Sequence, residues 1–178
     1  MKSIVHQSRH ILPALLAGAM AVSLLTPVAA ADQSGLAVLR NATAAFHSID
    51  AAQAAGYTVQ VYDLAGITCI TDPGGAGTMG IHFLNPDLLG TVDPSEPQLL
   101  IYVPRNDGTL KLVGVEFLML ADGWDATHSG PPRLFGQDYT KVLSPNRYGL
   151  PDFYELHVWV WHPNPNGMFD EWNPTLSC

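Results

Sequence analysis

Positive charge is scarce in this 178-residue chain, with eight Lys and Arg against sixteen Asp and Glu. Arg40, Arg105, Lys111, Arg133, Lys141 and Arg147 are scattered rather than clustered. Phosphate neutralisation needs grouped cations, so nucleic acid is excluded as a partner. There are only two cysteines and no CxxC, which argues against a thiol redox motif or a multi-cysteine metal knuckle. No HExxH, nucleophile elbow or phosphate-loop Lys-Ser/Thr pair occurs, and the glycine-rich stretch from Pro73 to Gly80 lacks the helix such a loop needs. Beyond the first thirty residues no apolar run approaches the ~20 residues that span a bilayer.

The chain opens like an export leader. Met1 to His10 carries Lys2 and Arg9, Ile11 to Leu25 is apolar, and Pro27 precedes the small residues Ala29 to Ala31. That order is expected of a secretory signal peptide over 1–31, which leaves a single globular domain over 32–178. The leader holds two of the eight basic residues and none of the acids, so the remainder has six against sixteen, a formal charge of −10. The expectation is a secreted or periplasmic protein with no membrane span once the leader is removed. In an oxidising compartment Cys69 and Cys178 are expected to form a disulfide that ties the C-terminus to the middle of the chain.

Ser34 to Ala55 reads as one helix, with Leu36, Leu39, Phe46 and Ile49 near helical spacing, Ser34 as cap and Gly56 as stop. After Gly56, short strand-like runs alternate with turn residues: 57–62, 67–71, 79–84, 98–103, 111–120 and 154–162. Asp107-Gly108 marks a hairpin turn. The expected class is α+β, an N-terminal helix followed by a mostly antiparallel sheet that is strongly curved or barrel-like.

Three strands each carry a titratable residue in apolar surroundings. Alternation sets Met79, Ile81 and Phe83 on one face and Gly80, His82 and Leu84 on the other. In the next, Val113, Val115 and Phe117 oppose Gly114, Glu116 and Leu118. In the last, Leu156, Val158 and Val160 oppose Glu155, His157, Trp159 and Trp161. A glycine two positions before His82, and another before Glu116, leaves room on their face. If the three strands share that face, His82, Glu116 and His157 converge in a ligand pocket walled by Trp159 and Trp161. Two imidazoles and a carboxylate suit a divalent first-row metal such as zinc or copper with one open position. The same trio without metal suits acid and base work, and a buried Glu beside a His can also be a satisfied structural pair. His47 and His128 read as packing or surface residues, His162 points away from His157, and the segment 121–132 reads as a lid.

The blocks Met79-Gly80-Ile81-His82-Phe83, Val113-Gly114-Val115-Glu116-Phe117, Leu156-His157-Val158-Trp159-Val160-Trp161 and Asn164-Pro165-Asn166-Gly167-Met168-Phe169 through Trp172-Asn173-Pro174 resemble a group of small exported bacterial proteins. The resemblance implies export and one compact domain, and no established activity or catalytic residue comes with it. The functional expectation is an exported binding protein whose His/Glu pocket takes a metal ion or small molecule. The alternatives are a small enzyme using the same pocket and a structural protein of the cell envelope.

Overall fold

The computed structural model describes residues 32–178, so the expected leader lies outside the described residues. Helix α1 (Gln33–Thr43) begins at Asp32, whose carboxylate accepts the Ser34 backbone N–H at 3.0 Å. Asp32, not Ser34, is therefore the cap. The expected single helix is broken. Ala44–His47 tightens into a 3₁₀ turn, Ser48 is extended, and its hydroxyl caps a second helix, α2 (Ile49–Ala54). Serine favours such caps because its side chain competes for backbone donors. Gly56 ends the helical segment with φ +100°.

The strands are β1 (Val59–Gln60), β2 (Cys69–Thr71), β3 (Thr78–Leu84), β4 (Leu99–Pro104), β5 (Leu110–Leu120), β6 (Arg133–Leu134), β7 (Gln137–Asp138), β8 (Thr140–Val142) and β9 (Phe153–Val158). A short helix α3 (Ala121–Asp125) follows β5. The main sheet is antiparallel in the order β1-β3-β4-β5-β9-β8, with β2 also pairing with β3, while β6 and β7 form a separate pair. The α+β class holds, but the sheet is open and not strongly curled, so the barrel expectation is corrected. Both faces are already covered, which removes the need to close the sheet on itself.

On one face α1 and α2 place Leu36, Leu39 and Ala52 against Leu100, Tyr102, Leu112, Val115, Phe117, Leu156 and Val158. Tyr102 donates its hydroxyl to the Phe46 carbonyl at 2.6 Å, locking the helical layer to the central strands. The opposite face carries Leu99, Leu118 and Phe153 in one cluster and Ile101, Val103, Val113 and Trp159 in another. Loops cover it. Arg147 pairs with Asp63 at 3.1 Å, Thr78 bridges to Asn173, and Trp159 donates its indole N–H to the Asp170 carbonyl at 2.6 Å. The Cys69–Cys178 disulfide is present and fastens the tail beside β2.

Two bulges revise the side-chain alternation. Pairing slips between Gly80 and Thr78 on β3, and Met79 turns to receive the Tyr148 hydroxyl instead of joining Ile81 and Phe83. A second slip, between Gly114 and Leu112, sends Val113 to the loop-covered face, away from Val115 and Phe117. The hairpin at 105–109 forms as expected, with Arg105 and Thr109 joined at 2.8 Å and Gly108 at φ +82°. No helix among the described residues is long and apolar enough to cross a membrane.

Candidate metal centre

His82, Glu116 and His157 meet on the loop-covered face of three different strands. On the β5–β9 ladder Glu116 sits directly opposite His157, and His82 reaches it across β4, where Leu99 pairs with Glu116 and Ile101 with His82. All three are buried, at 2–5% exposure. His82 Nε2 lies 3.3 Å and His157 Nε2 3.8 Å from the same carboxylate oxygen, Oε2 of Glu116. One donor atom from each residue falls within 4.8 Å of the others.

These contacts are not hydrogen bonds. Both ring nitrogens of His82 and Nε2 of His157 are buried with no hydrogen-bond partner among the protein groups. Buried polar atoms rarely stay unpaired, because each one costs about 1–3 kcal/mol. Two such atoms, Nε2 of His82 and Nε2 of His157, approach one carboxylate oxygen and describe donors arranged around a common point. A tetrahedral ion held at ~2.0–2.1 Å sets neighbouring donors about 3.3–3.4 Å apart. The His82–Glu116 separation matches that, and His157 needs only a small inward adjustment. A buried His82/Glu116/His157 group of this shape could hold a metal ion.

Electrostatics support neutral protein groups at the site. Burial lowers the His82 pKa to about 4 and that of His157 to about 3, the latter also through its neighbour His82. Burial raises Glu116 well above the ordinary carboxyl range, reinforced by the charges of Glu155 and Glu171. Glu155 rises to about 8, again mainly through burial. His82 is therefore neutral at neutral pH, and burial favours the protonated form of Glu116 beside it, so the close contact is not an ion pair.

The sequence expectations divide at the tryptophans. Trp159 does flank the site, its ring stacked on His157 at 6.1 Å between centroids. Trp161 does not. Strand β9 ends at Val158, the Val160 N–H turns back to the Val158 carbonyl, and Trp161 emerges on the helical face. There its ring meets His47 edge-on and its N–H bonds the Thr43 hydroxyl at 3.0 Å. His162 contacts Lys111 and Thr175, away from the trio.

The glycines act differently from expectation. A Cβ on Gly80 would stand 2.5 Å from the Tyr102 carbonyl oxygen, at a φ of +105° that favours glycine. A Cβ on Gly114 would press on the Val158 carbonyl at 2.9 Å and the Trp159 ring at 3.2 Å. Sheet neighbours fill the space these glycines leave. They permit the bulges and let Trp159 lie beside His157.

Two openings reach the trio. His82 and Glu116 line one end of a cavity of about 200 Å³ whose other walls include Leu84, Leu99, Leu118, Leu120 and Phe153, with Tyr148 from the covering loop. The expected lid, 121–132, contributes no residue to it; Trp124 and His128 stack on each other at 3.7 Å beside a separate depression. A smaller cleft of about 40 Å³ is lined by Glu155, His157 and Glu171. Glu155, Tyr148 and Glu171 are the neighbours that the sequence reading left out of the pocket. Glu155 shares the alternation of His157 and was legible that way, whereas the other two arrive on loops.

No family model matches the chain, and no curated protein or solved structure shows similarity to it.

Proposed function

We propose that this is an exported binding protein that holds a divalent first-row metal ion, zinc or copper, at His82 Nε2, His157 Nε2 and a carboxylate oxygen of Glu116. The single observation that carries this reading is the convergence of two orphaned imidazoles on one buried carboxylate. A satisfied structural pair would use the imidazole nitrogens internally, but Nε2 of both histidines is left unpaired while Glu116 hydrogen-bonds to the Glu155 side chain. The low imidazole pKa values keep both histidines neutral, as metal ligation requires, so near pH 7 they have no proton to lose, and any proton that burial holds on Glu116 leaves as the ion binds. The smaller cleft, lined by Glu155, His157 and Glu171, gives a cation further oxygen donors on its way to the trio.

Export belongs to the same reading. It rests on the leader-like start, the long-range disulfide and the resemblance to small exported bacterial proteins. A second reading, a small metal-assisted enzyme, draws on the open cavity beside His82 and Glu116. Three protein ligands with a free fourth position are the arrangement that catalytic zinc uses.

Dialysis of chelator-stripped protein against zinc or copper, followed by elemental analysis, tests the proposal. One equivalent retained by the native chain and lost in His157→Ala is the expected result. Metal retained equally by both chains, or by neither, would refute it. Turnover on a panel of small esters and amides separates the enzyme from the binder.

A further inference from the structure

We infer that the apolar cavity beside the metal centre binds a medium-chain monocarboxylate, head inward, with its carboxylate on the ion. This deepens the proposed function and rests on it.

The cavity has one polar end. His82 and Glu116 form its floor, while Leu84, Leu99, Leu118 and Phe153 wall it. The floor is a built polar site, because His82 is 2% exposed and neither ring nitrogen has a hydrogen-bond partner. Its mouth is apolar as well: Leu89, Leu120 and Leu150 line it and are 37–45% exposed. Exposed leucines around the opening of an apolar cavity favour an occupant with a hydrocarbon body.

Charge counting identifies the head. A divalent ion, one carboxylate from Glu116 and two neutral imidazoles leave a net charge of +1. A lone charge against apolar walls is costly, and a monoanion cancels it. A carboxylate supplies that charge together with a hard oxygen donor that zinc accepts. Neutral alcohols leave the charge standing, and dianions overshoot it.

Volume sets the length. At roughly 30 Å³ per methylene-sized group, about the share one water occupies, 200 Å³ holds about seven such groups. Longer chains pass between Leu89 and Leu120 into solvent and gain little more.

The test is calorimetric titration of the zinc-loaded full chain with acetate, butanoate, hexanoate, octanoate and, as the neutral control, hexan-1-ol. Affinity is expected to rise about fourfold per added methylene up to octanoate, from ~0.8 kcal/mol per buried CH₂. Hexanoate should bind at least tenfold more tightly than hexan-1-ol and at least tenfold more tightly than it binds metal-free protein. Leu118→Phe narrows the cavity, and Leu120→Trp obstructs its mouth without stressing the core. Each should weaken hexanoate at least tenfold while keeping one zinc. Zinc retained with no chain-length dependence, with hexan-1-ol equal to hexanoate, or with Leu120→Trp unchanged overturns the inference and leaves the metal centre standing. Zinc not retained by the native chain overturns the proposed function, and this inference with it. Metal content distinguishes the two failures.

Discussion

Metal-free protein should show a stability plateau in mild acid, flanked by losses on both sides, because four buried groups at the centre refuse charge. The two carboxyls have folded pKa values above the ordinary 4.5: Glu155 at about 8, and Glu116 also well raised. Their contribution is fully present below pH 4.5 and is lost as pH rises toward 8. The two imidazoles have folded pKa values of about 4 and about 3 against 6.5 unfolded. Their contribution is fully present above pH 6.5 and is lost as pH falls toward those values. Each group shifts stability by at most ~1.4 kcal/mol per pH unit. Between 6.5 and 7.5 only the carboxyls act, so stability should fall with rising pH by up to ~1.4 kcal/mol per unit from Glu155, with Glu116 acting in the same direction. Between 4.5 and 6.5 the carboxyls and the imidazoles act in opposite directions, which flattens the curve. Below 4.5 the imidazoles alone pull stability down by a similar slope until they titrate. Exposed aspartates with lowered pKa values, such as Asp93 held by Ser95, add to this acid loss. Urea unfolding in chelator from pH 4 to 8 measures the curve. Glu155→Gln removes the carboxyl that titrates at about 8 and should flatten the slope above pH 6.5. Stability flat from 6.5 to 7.5, or the same slope in the variant, would refute the reasoning.

Three further outcomes follow from the geometry. Zinc binding at pH 7 should release no proton from the histidines and at most one from Glu116, read as the dependence of calorimetric enthalpy on buffer ionisation; a release near two would contradict neutral imidazoles. Replacing Cys178 with Ser opens a link between residues 109 positions apart and should cost ~2–5 kcal/mol in denaturant titration, while a change under 1 kcal/mol would show that the tail is held by its other contacts. Gly80→Ala places a Cβ against the Tyr102 carbonyl at an unfavourable φ and should cost ~1–3 kcal/mol or more, whereas Gly66→Ala, with open space around it, should cost only its backbone strain.

The site residues were legible because period-two alternation survives locally. Both bulges lie before the residues that matter: Met79–Gly80 precedes His82, and Val113–Gly114 precedes Glu116. The slips therefore misplaced Met79 and Val113 but left His82 and Glu116 on the expected side. Alternation failed at Trp161 for the opposite reason, since β9 stops at Val158 and the chain turns back before reaching it. Nothing in the spacing of Ser34 to Ala55 announces the break at Ser48, because alanine-rich sequence supports a continuous helix, whereas in the fold Ser48 is extended and caps α2, and the Phe46 carbonyl accepts the Tyr102 hydroxyl. Sheet closure was illegible as well. Alternating strands serve an open sheet covered by loops as readily as a barrel, and the cover here comes from irregular segments around Tyr148 and the tail.

X-ray absorption at the metal edge of zinc-loaded protein tests the central claim most directly. A first shell of two imidazole nitrogens and one or two oxygens at ~2.0–2.1 Å in the native chain, with the bound zinc and its signal lost in His82→Ala and in His157→Ala separately, is the expected result. An oxygen-only shell, or a spectrum that neither substitution changes, would place the ion elsewhere and leave the trio a buried polar cluster of the sheet.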